Sequence, residues 1–285
     1  MNPVYNHHMI KRVYIEITNV CDLSCSFCVK NHRAPVFMEV PFFHDVLRQA
    51  LTVTPHIYLH VQGEPMLHPA FDQILSVCDA EKASVHLVTN GSFLNRYPDL
   101  LTHSCLKTIA VSVQSASARP ESSIRSYFTS VLELAERISA KGSLSADLRF
   151  WRSDADQDPN TSFCLNTLRE KYSLQPTKRN NSYSILPNVY VSFANDFAWP
   201  VSSKSGSTSG TCLGGRMQIA VLSDGTVVPC CLDADGIIAL GNLHQELLQD
   251  ILKKPRYTEL IRGFEQNHLS EALCRSCTYR HRFDQ

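Results

Sequence analysis

The stretch RVYIEITNVCDLSCSFC, residues 12–28, decides how this chain folds. Val13, Ile15 and Ile17 alternate with Tyr14, Glu16 and Thr18, the period of two that marks a strand. Cysteines begin directly after it. Cys21, Cys25 and Cys28, at x3 and x2 spacing, put three thiolates in one loop. Cubane iron-sulfur clusters ordinarily take four cysteines, so a three-cysteine loop leaves one iron for a ligand that is not protein. Open positions of that kind separate reactive metal sites from closed structural ones. A zinc knuckle or unrelated buried thiols are the alternatives; zinc sites normally complete four protein ligands.

Outward from this loop the pattern of strand then helix repeats. Apolar, β-branched runs at 57–61, 85–89, 108–113, 145–151 and 189–193 bring the expected strands to six. Helices are expected over Phe43–Thr52, over Pro69–Lys82 and over Ser122–Lys141, the last closed by Gly142. In that third helix Ile124, Phe128, Val131, Leu132, Ala135 and Ile138 fall on one face and so pack on a sheet. Alternating strands and helices imply parallel strands joined by right-handed crossovers. The small polar run SSKSGSTSG at 202–210 reads as a linker. Two short strands about Asp224-Gly225 and a helical stretch from about Leu243 to Gln266 follow it.

The bulk numbers agree with a globular chain of 285 residues, 44% hydrophobic, with 27 basic residues set against 27 acidic ones. Nothing global recruits nucleic acid or an anionic surface. No run reaches the roughly 18 apolar residues of a membrane helix, and the first residues lack the apolar core of a secretory signal, so a cytoplasmic location is expected. Eleven cysteines, an odd number, argue against a disulfide framework and for metal ligation.

The x3, x2 spacing with Phe27 just before the third cysteine resembles the radical S-adenosylmethionine superfamily. The resemblance implies an α/β fold, a partial (β/α)6 TIM-like barrel at residues 1–201, six strands rather than eight making it open. It implies a 4Fe-4S cluster on Cys21, Cys25 and Cys28 whose open iron binds S-adenosylmethionine, from which an electron releases a 5'-deoxyadenosyl radical. A donor such as flavodoxin or ferredoxin would supply that electron. Gly63, Glu64 and Pro65 resemble the family's motif for the methionyl ammonium group, although Gly-Glu-Pro in isolation is more often a turn. Asn90, in Thr89-Asn90-Gly91, falls where the family's turn lies near the cofactor. Ser112 resembles the family's ribose or carboxylate contact, and Arg149 is a candidate partner of the cofactor carboxylate, with a solvent-facing arginine as the alternative.

A second set, Cys212, Cys230, Cys274 and Cys277, has a glycine, Gly225, separated by four residues from Cys230. It resembles the auxiliary-cluster module of SPASM and twitch type, here at 202–285 as a β-hairpin plus helix. Full SPASM modules continue with further cysteines, whereas this sequence ends eight residues after Cys277. One auxiliary 4Fe-4S cluster is therefore expected, as in 2-deoxy-scyllo-inosamine dehydrogenase. Spacing leaves open whether Cys230 or its neighbour Cys231 ligates, and a zinc ribbon is the alternative use of the four. Cys78, Cys105 and Cys164 read as buried small hydrophobes. Asn195, Asp196 and Trp199 are candidate pocket residues.

The resulting expectation is a radical enzyme that abstracts a substrate hydrogen and oxidises a small molecule, the auxiliary cluster accepting the electron. A maturase that crosslinks, oxidises or epimerises a peptide is the second reading, and a non-enzymatic iron-sulfur or zinc scaffold the third.

Overall fold

A computed structural model describes residues 10–29, 32–151, 158–195, 197–200 and 206–283. In chain order the first elements are β1 (Arg12–Ile15), α1 (Val40–Leu51), β2 (His56–Tyr58), α2 (Phe71–Ala80), β3 (Ser84–Thr89), β4 (Leu106–Ser112), α3 (Glu121–Lys141), β5 (Ser145–Trp151) and α4 (Pro159–Lys171). There follow β6 (Gln175–Pro176), β7 (Ser182–Leu186), β8 (Val189–Ala194), β9 (Gln218–Val221), β10 (Thr226–Val228), β11 (Gly241–Asn242), α5 (Leu248–Ile251), α6 (Pro255–Glu265) and α7 (Ala272–Ser276). Among the described residues no helix is long and apolar enough to cross a membrane.

The chain forms two compact units, neither continuous in sequence: the described residues of 18–30 and 63–196 make one, those of 1–17, 31–62 and 197–285 the other. The fold is α/β with parallel strands, and in neither unit does the sheet close on itself.

In the unit that carries the first cysteines, the strand order is β3-β4-β5-β8-β7-β6. β3, β4, β5 and β8 run parallel, whereas β7 joins β8 antiparallel. One face of the parallel strands is sealed: Val85, Leu87, Ile109, Val111, Leu148, Phe150, Val189 and Val191 are buried. The apolar stripe of α3 packs on β5 and β8. Gly142 stops α3 with φ 72°, the left-handed C-cap that glycine adopts without a Cβ clash. The other face is mixed, with polar rows on either side of a row formed by Val88, Ala110, Asp147 and Tyr190. His86, Thr108 and Ser145 form one row, and Ser112, Arg149 and Ser192 lie higher.

In the other unit the order is β11-β10-β9-β1-β2, with β1 parallel to both β2 and β9. The Asp224-Gly225 turn joins β9 to β10 as expected, Asp224 accepting from the Thr226 N–H at 3.0 Å and Gly225 taking φ 85°. Glu16, on the polar side of β1, is fully buried. Its carboxylate accepts from the Gln62 and Ser223 N–H groups and the Ser223 hydroxyl, each at 3.0 Å, and from the Arg33 guanidinium at 2.5 Å.

Four details depart from the sequence reading. Helix α4 and the β6–β7 hairpin were not expected, so β8 is reached through an antiparallel strand. The helix expected over Leu243–Gln266 breaks into α5 and α6, because Pro255 has no N–H to continue a helix and instead starts a new one. Of the small polar run, residues 202–205 lie outside the described residues. The remainder is held by Leu269 N–H to Thr208 O at 2.7 Å and Gly210 N–H to Asn267 O at 3.1 Å.

Replacing Arg33 by Met should leave Glu16 sealed and without its cation. A loss of about 3–5 kcal/mol in urea unfolding is expected, against less than about 1 kcal/mol for an exposed cation such as Lys253, paired only to Asp250 on the surface.

Candidate functional site

The three-cysteine loop follows β1, and its shape depends on one glycine. Gly63 has φ 73°, and a Cβ there would lie 2.4 Å from Thr18 O, 2.8 Å from Val20 O and 2.9 Å from the Asn19 carbonyl carbon. Only a residue without a side chain lets the strand end approach this closely. The next residue ties the approach down, since Glu64 N–H donates to Val20 O at 2.8 Å.

The Glu64 side chain is 1% exposed and turns inward. Its Oε1 accepts from Met66 N–H (3.0 Å) and the Thr89 hydroxyl (2.7 Å), its Oε2 from Asn90 N–H (2.6 Å). The carboxylate thus joins the Gly63-Glu64-Pro65 segment to the end of β3. Burial pushes its carboxyl up to about 7 in spite of the three donors, which pull the other way. Both oxygens are engaged by the protein, so a ligand at this end meets mainly backbone. Pro65 begins a single 3-10 turn, Pro65–Leu67.

Asn90 then reaches the cysteines. Its Nδ2 donates to Asp22 Oδ1 at 2.8 Å and lies 3.7 Å from Cys21 Sγ, while its Oδ1 accepts from Ser92 N–H at 2.8 Å. Cys21 and Cys28 are exposed and Cys25 half-buried, and all eleven cysteines are free thiols. Partial burial pushes Cys21 and Cys25 up to about 11, so iron must displace protons to bind there. Phe27 packs against Trp151, ring centroids 5.1 Å apart. Gln114 takes the amide orientation in which its oxygen accepts from Trp151 Nε1 (2.8 Å) and its nitrogen donates to Arg149 O (2.5 Å).

Ser112 and Arg149 stand side by side across β4 and β5. Arg149 Nε pairs with Asp147 at 2.9 Å, and Ser192 donates to the same carboxylate at 2.7 Å. Arg149 is therefore neither isolated nor simply solvent-facing. Sequence reasoning missed Arg119. Its Nη2 donates to Asn90 O at 2.8 Å and to the Ser92 hydroxyl at 3.1 Å, and its charge favours the Cys25 thiolate. The only signal was an arginine one residue before the proline that precedes α3. Asn195 is exposed, Trp199 packs on Phe197 at 5.1 Å, and Asp196 lies outside the described residues.

In the other unit Cys212, Cys230, Cys274 and Cys277 line one cavity, with mainly apolar neighbours such as Leu232, Ile238 and Leu273. Cys231 does not line it. Among the described residues no three His, Cys, Asp or Glu side chains converge as on a single metal ion; the four thiols surround a volume. Both cysteine sets fit iron-sulfur clusters in donor chemistry, one with three ligands and one with four. Cys78, Cys105 and Cys164 are at most 2% exposed, the small core residues expected.

Comparison with known proteins gives the following. Residues 15–147 match the model of the Radical SAM superfamily and residues 212–278 that of SPASM, an iron-sulfur cluster-binding domain. A GTP 3',8-cyclase of Chlorobaculum tepidum is 26% identical over 146 residues, 48% of this chain and 43% of that protein, so less than half of that relative is matched. Solved structures share the fold over nearly the whole chain. BtrN in complex with AdoMet and 2-DOIA has a TM-score of 0.62 at 19% identity, covering 94% of this chain and 93% of BtrN. Native anSMEcpe with bound AdoMet and Cp18Cys peptide gives 0.59 at 14%, covering 94% and 89%. Streptococcus suis SuiB bound to precursor peptide SuiA gives 0.54 at 16%, covering 94% and 70%.

Two substitutions test the clamp. Gly63→Ala should displace the cysteine loop and cut the iron retained after anaerobic reconstitution by more than half, read by iron assay beside the wild type. Glu64→Gln removes an ionisable group whose folded carboxyl binds its proton more tightly than the free side chain. Relative to this variant, wild type should lose stability as pH rises from 4.5 toward 7, which thermal unfolding across that range will report.

Proposed function

This chain is a radical SAM superfamily protein with a SPASM iron-sulfur cluster-binding domain, and from that premise we propose that it oxidises a small polar substrate, which gives up a hydrogen atom, a proton to solvent and an electron for which the auxiliary cluster would be the acceptor. In this reading residues 1–201 form the barrel and 202–285 the auxiliary module. The enzyme takes a 4Fe-4S cluster, S-adenosylmethionine and an auxiliary iron-sulfur cluster. When loaded, these supply reductive cleavage of S-adenosylmethionine, hydrogen abstraction from the substrate and an acceptor for one electron.

The residues divide the remaining work. Cys21, Cys25 and Cys28 would hold the first cluster, three thiolates leaving room for a ligand that is not protein. Gly63 and Pro65 offer backbone to its ammonium end, while Glu64 positions that backbone from within. Asn90 steadies the cysteine loop through Asp22, Ser112 and Arg149 face the ligand from the polar side of the sheet, and Phe27 with Trp151 gives an aromatic wall. Cys212, Cys230, Cys274 and Cys277 enclose the auxiliary cluster, and four protein ligands leave no iron for substrate. The observation that carries the oxidation reading is this complete set of four thiols about one cavity. The external reductant is a small electron carrier such as flavodoxin or ferredoxin.

Peptide modification is the second reading, favoured by the likeness in fold to anSMEcpe and SuiB, both solved with peptides bound. The two readings part on the substrate-dependent product, a ketone or aldehyde on a small molecule against a mass change on a peptide.

Anaerobically reconstituted protein should hold about eight irons and form 5'-deoxyadenosine with dithionite and S-adenosylmethionine. Cys25→Ala should abolish that product. Cys274→Ala with Cys277→Ala should lower iron to about four per chain, keep cofactor cleavage and lose substrate oxidation. Stoichiometric zinc with no 5'-deoxyadenosine would overturn the enzyme reading, and unimpaired oxidation in the double variant would overturn the acceptor role.

A further inference from the structure

Among the described residues, the cavity enclosed by Cys212, Cys230, Cys274 and Cys277 has a single cationic residue in its wall, Arg280, and no carboxylate. Leu232, Ile238, Leu273 and Phe283 make much of the remaining wall apolar. Arg280 is 4% exposed, and arginine is seldom buried so deeply unless it is paired. Its guanidinium lies against Gly210, two residues before Cys212: a Cβ there would come within 3.1 Å of Cζ and closer still to Nη1. The missing side chain is what gives the cation its seat. From that seat the positive charge acts on two of the four sulfurs, favouring the thiolates of Cys212 and Cys277.

Neighbouring charges are placed otherwise. Arg275, beside Cys274 in sequence, gives Nε to Leu269 O at 2.9 Å and Nη2 to Ser270 O at 2.8 Å. Arg282 is exposed, its guanidinium 3.9 Å over the Tyr279 ring. Arg216, Glu265 and His281 border, with Arg280, a polar cavity of about 950 Å³ and do not line the four-thiol one.

A cluster held by four thiolates is anionic, and one added electron makes it more so. In water a nearby cation changes that balance little; among apolar side chains the effective dielectric is low and the same charge counts for several times more. A guanidinium keeps its proton throughout. Fixed beside the sulfurs, it favours the reduced state over the oxidised one, net charge being among the determinants of cluster potential.

We propose that Arg280 tunes the auxiliary cluster, as a buried cation that compensates its negative charge and raises its reduction potential, fitting it to accept an electron. This rests on the reading in which the four thiols hold that cluster. Arg280 neither gains nor loses a proton or a bond as one electron passes from its donor, dithionite in a titration, to the cluster.

Full-length protein carrying Cys25→Ala, reconstituted anaerobically, leaves the auxiliary cluster to be observed alone. Iron near four per chain establishes loading, and electron paramagnetic resonance during stepwise reduction with dithionite reads the midpoint potential. Adding Arg280→Gln should make one-electron reduction about tenfold or more less favourable, a fall of about 59 mV or more. Arg280→Lys, which keeps the charge, should recover most of that loss. Arg282→Gln removes the same charge from a screened, exposed position and should move the potential far less. Arg280→Met gives the same reading where the buried amide of Gln is not tolerated. A parent protein that takes up no iron would overturn the four-thiol reading and this proposal with it. With the cluster loaded, an unchanged potential in Arg280→Gln, or an equal fall in either Arg280→Lys or Arg282→Gln, would overturn the proposal alone. Iron lost from the Gln and Met variants but kept by Lys upholds the role of the charge; iron lost from all three assigns Arg280 to packing and overturns it.

Discussion

A carboxylate withdrawn from water has to be met by donors at fixed places, and Glu64 turns that necessity into architecture. Its three hydrogen bonds engage two backbone N–H groups and one hydroxyl, drawn from its own turn and from the end of β3. None of those donors can drift without stranding a sealed charge, a penalty of several kcal/mol. The turn at Gly63 presses on the backbone of residues 18–20, and Asn90 beside Glu64 reaches Asp22. A single buried carboxyl thus ties together the Gly63-Glu64-Pro65 turn and the end of β3, and the cysteine loop packs against both.

The same device recurs in the other unit with different chemistry. Glu16 gathers the end of β2, the turn after β9 and the segment holding Arg33. Here a guanidinium meets the carboxylate, whereas the donors on Glu64 are neutral, and burial pushes the Glu64 carboxyl up in spite of them. Neutral dipoles offset part of what desolvation takes; a cation offsets more.

Much of this was legible in the sequence. All six expected strands exist, because alternation and β-branched runs report a local preference that packing then reinforces. The cysteine spacing carried the resemblance to the Radical SAM and SPASM families that the family models then match. What escaped detection depends on which neighbour a residue acquires. Glu16 reads as a solvent-facing strand position, and only a unit that covers both faces of β1 makes it a buried hub. Arg119 has no motif. Pro255 was a visible break inside an otherwise amphipathic stretch, and the break prevailed over the period. Spacing left Cys230 and Cys231 equivalent, because two adjacent residues differ in direction rather than position; Cys230 lines the cavity with the other three thiols and Cys231 does not.

The half-buried face of β3, β4, β5 and β8 has a consequence of its own. Its rows of hydroxyls, with His86, Asp147 and Arg149, stay hydrated when nothing lies on them. A molecule that settles there must strip that water and return each hydrogen bond it removes. An analogue lacking one polar group leaves a partner stranded, a heavier penalty than a missing methylene imposes on an apolar wall. Selection on such a surface works through hydration, discriminating between molecules of identical size by where their oxygens and nitrogens fall.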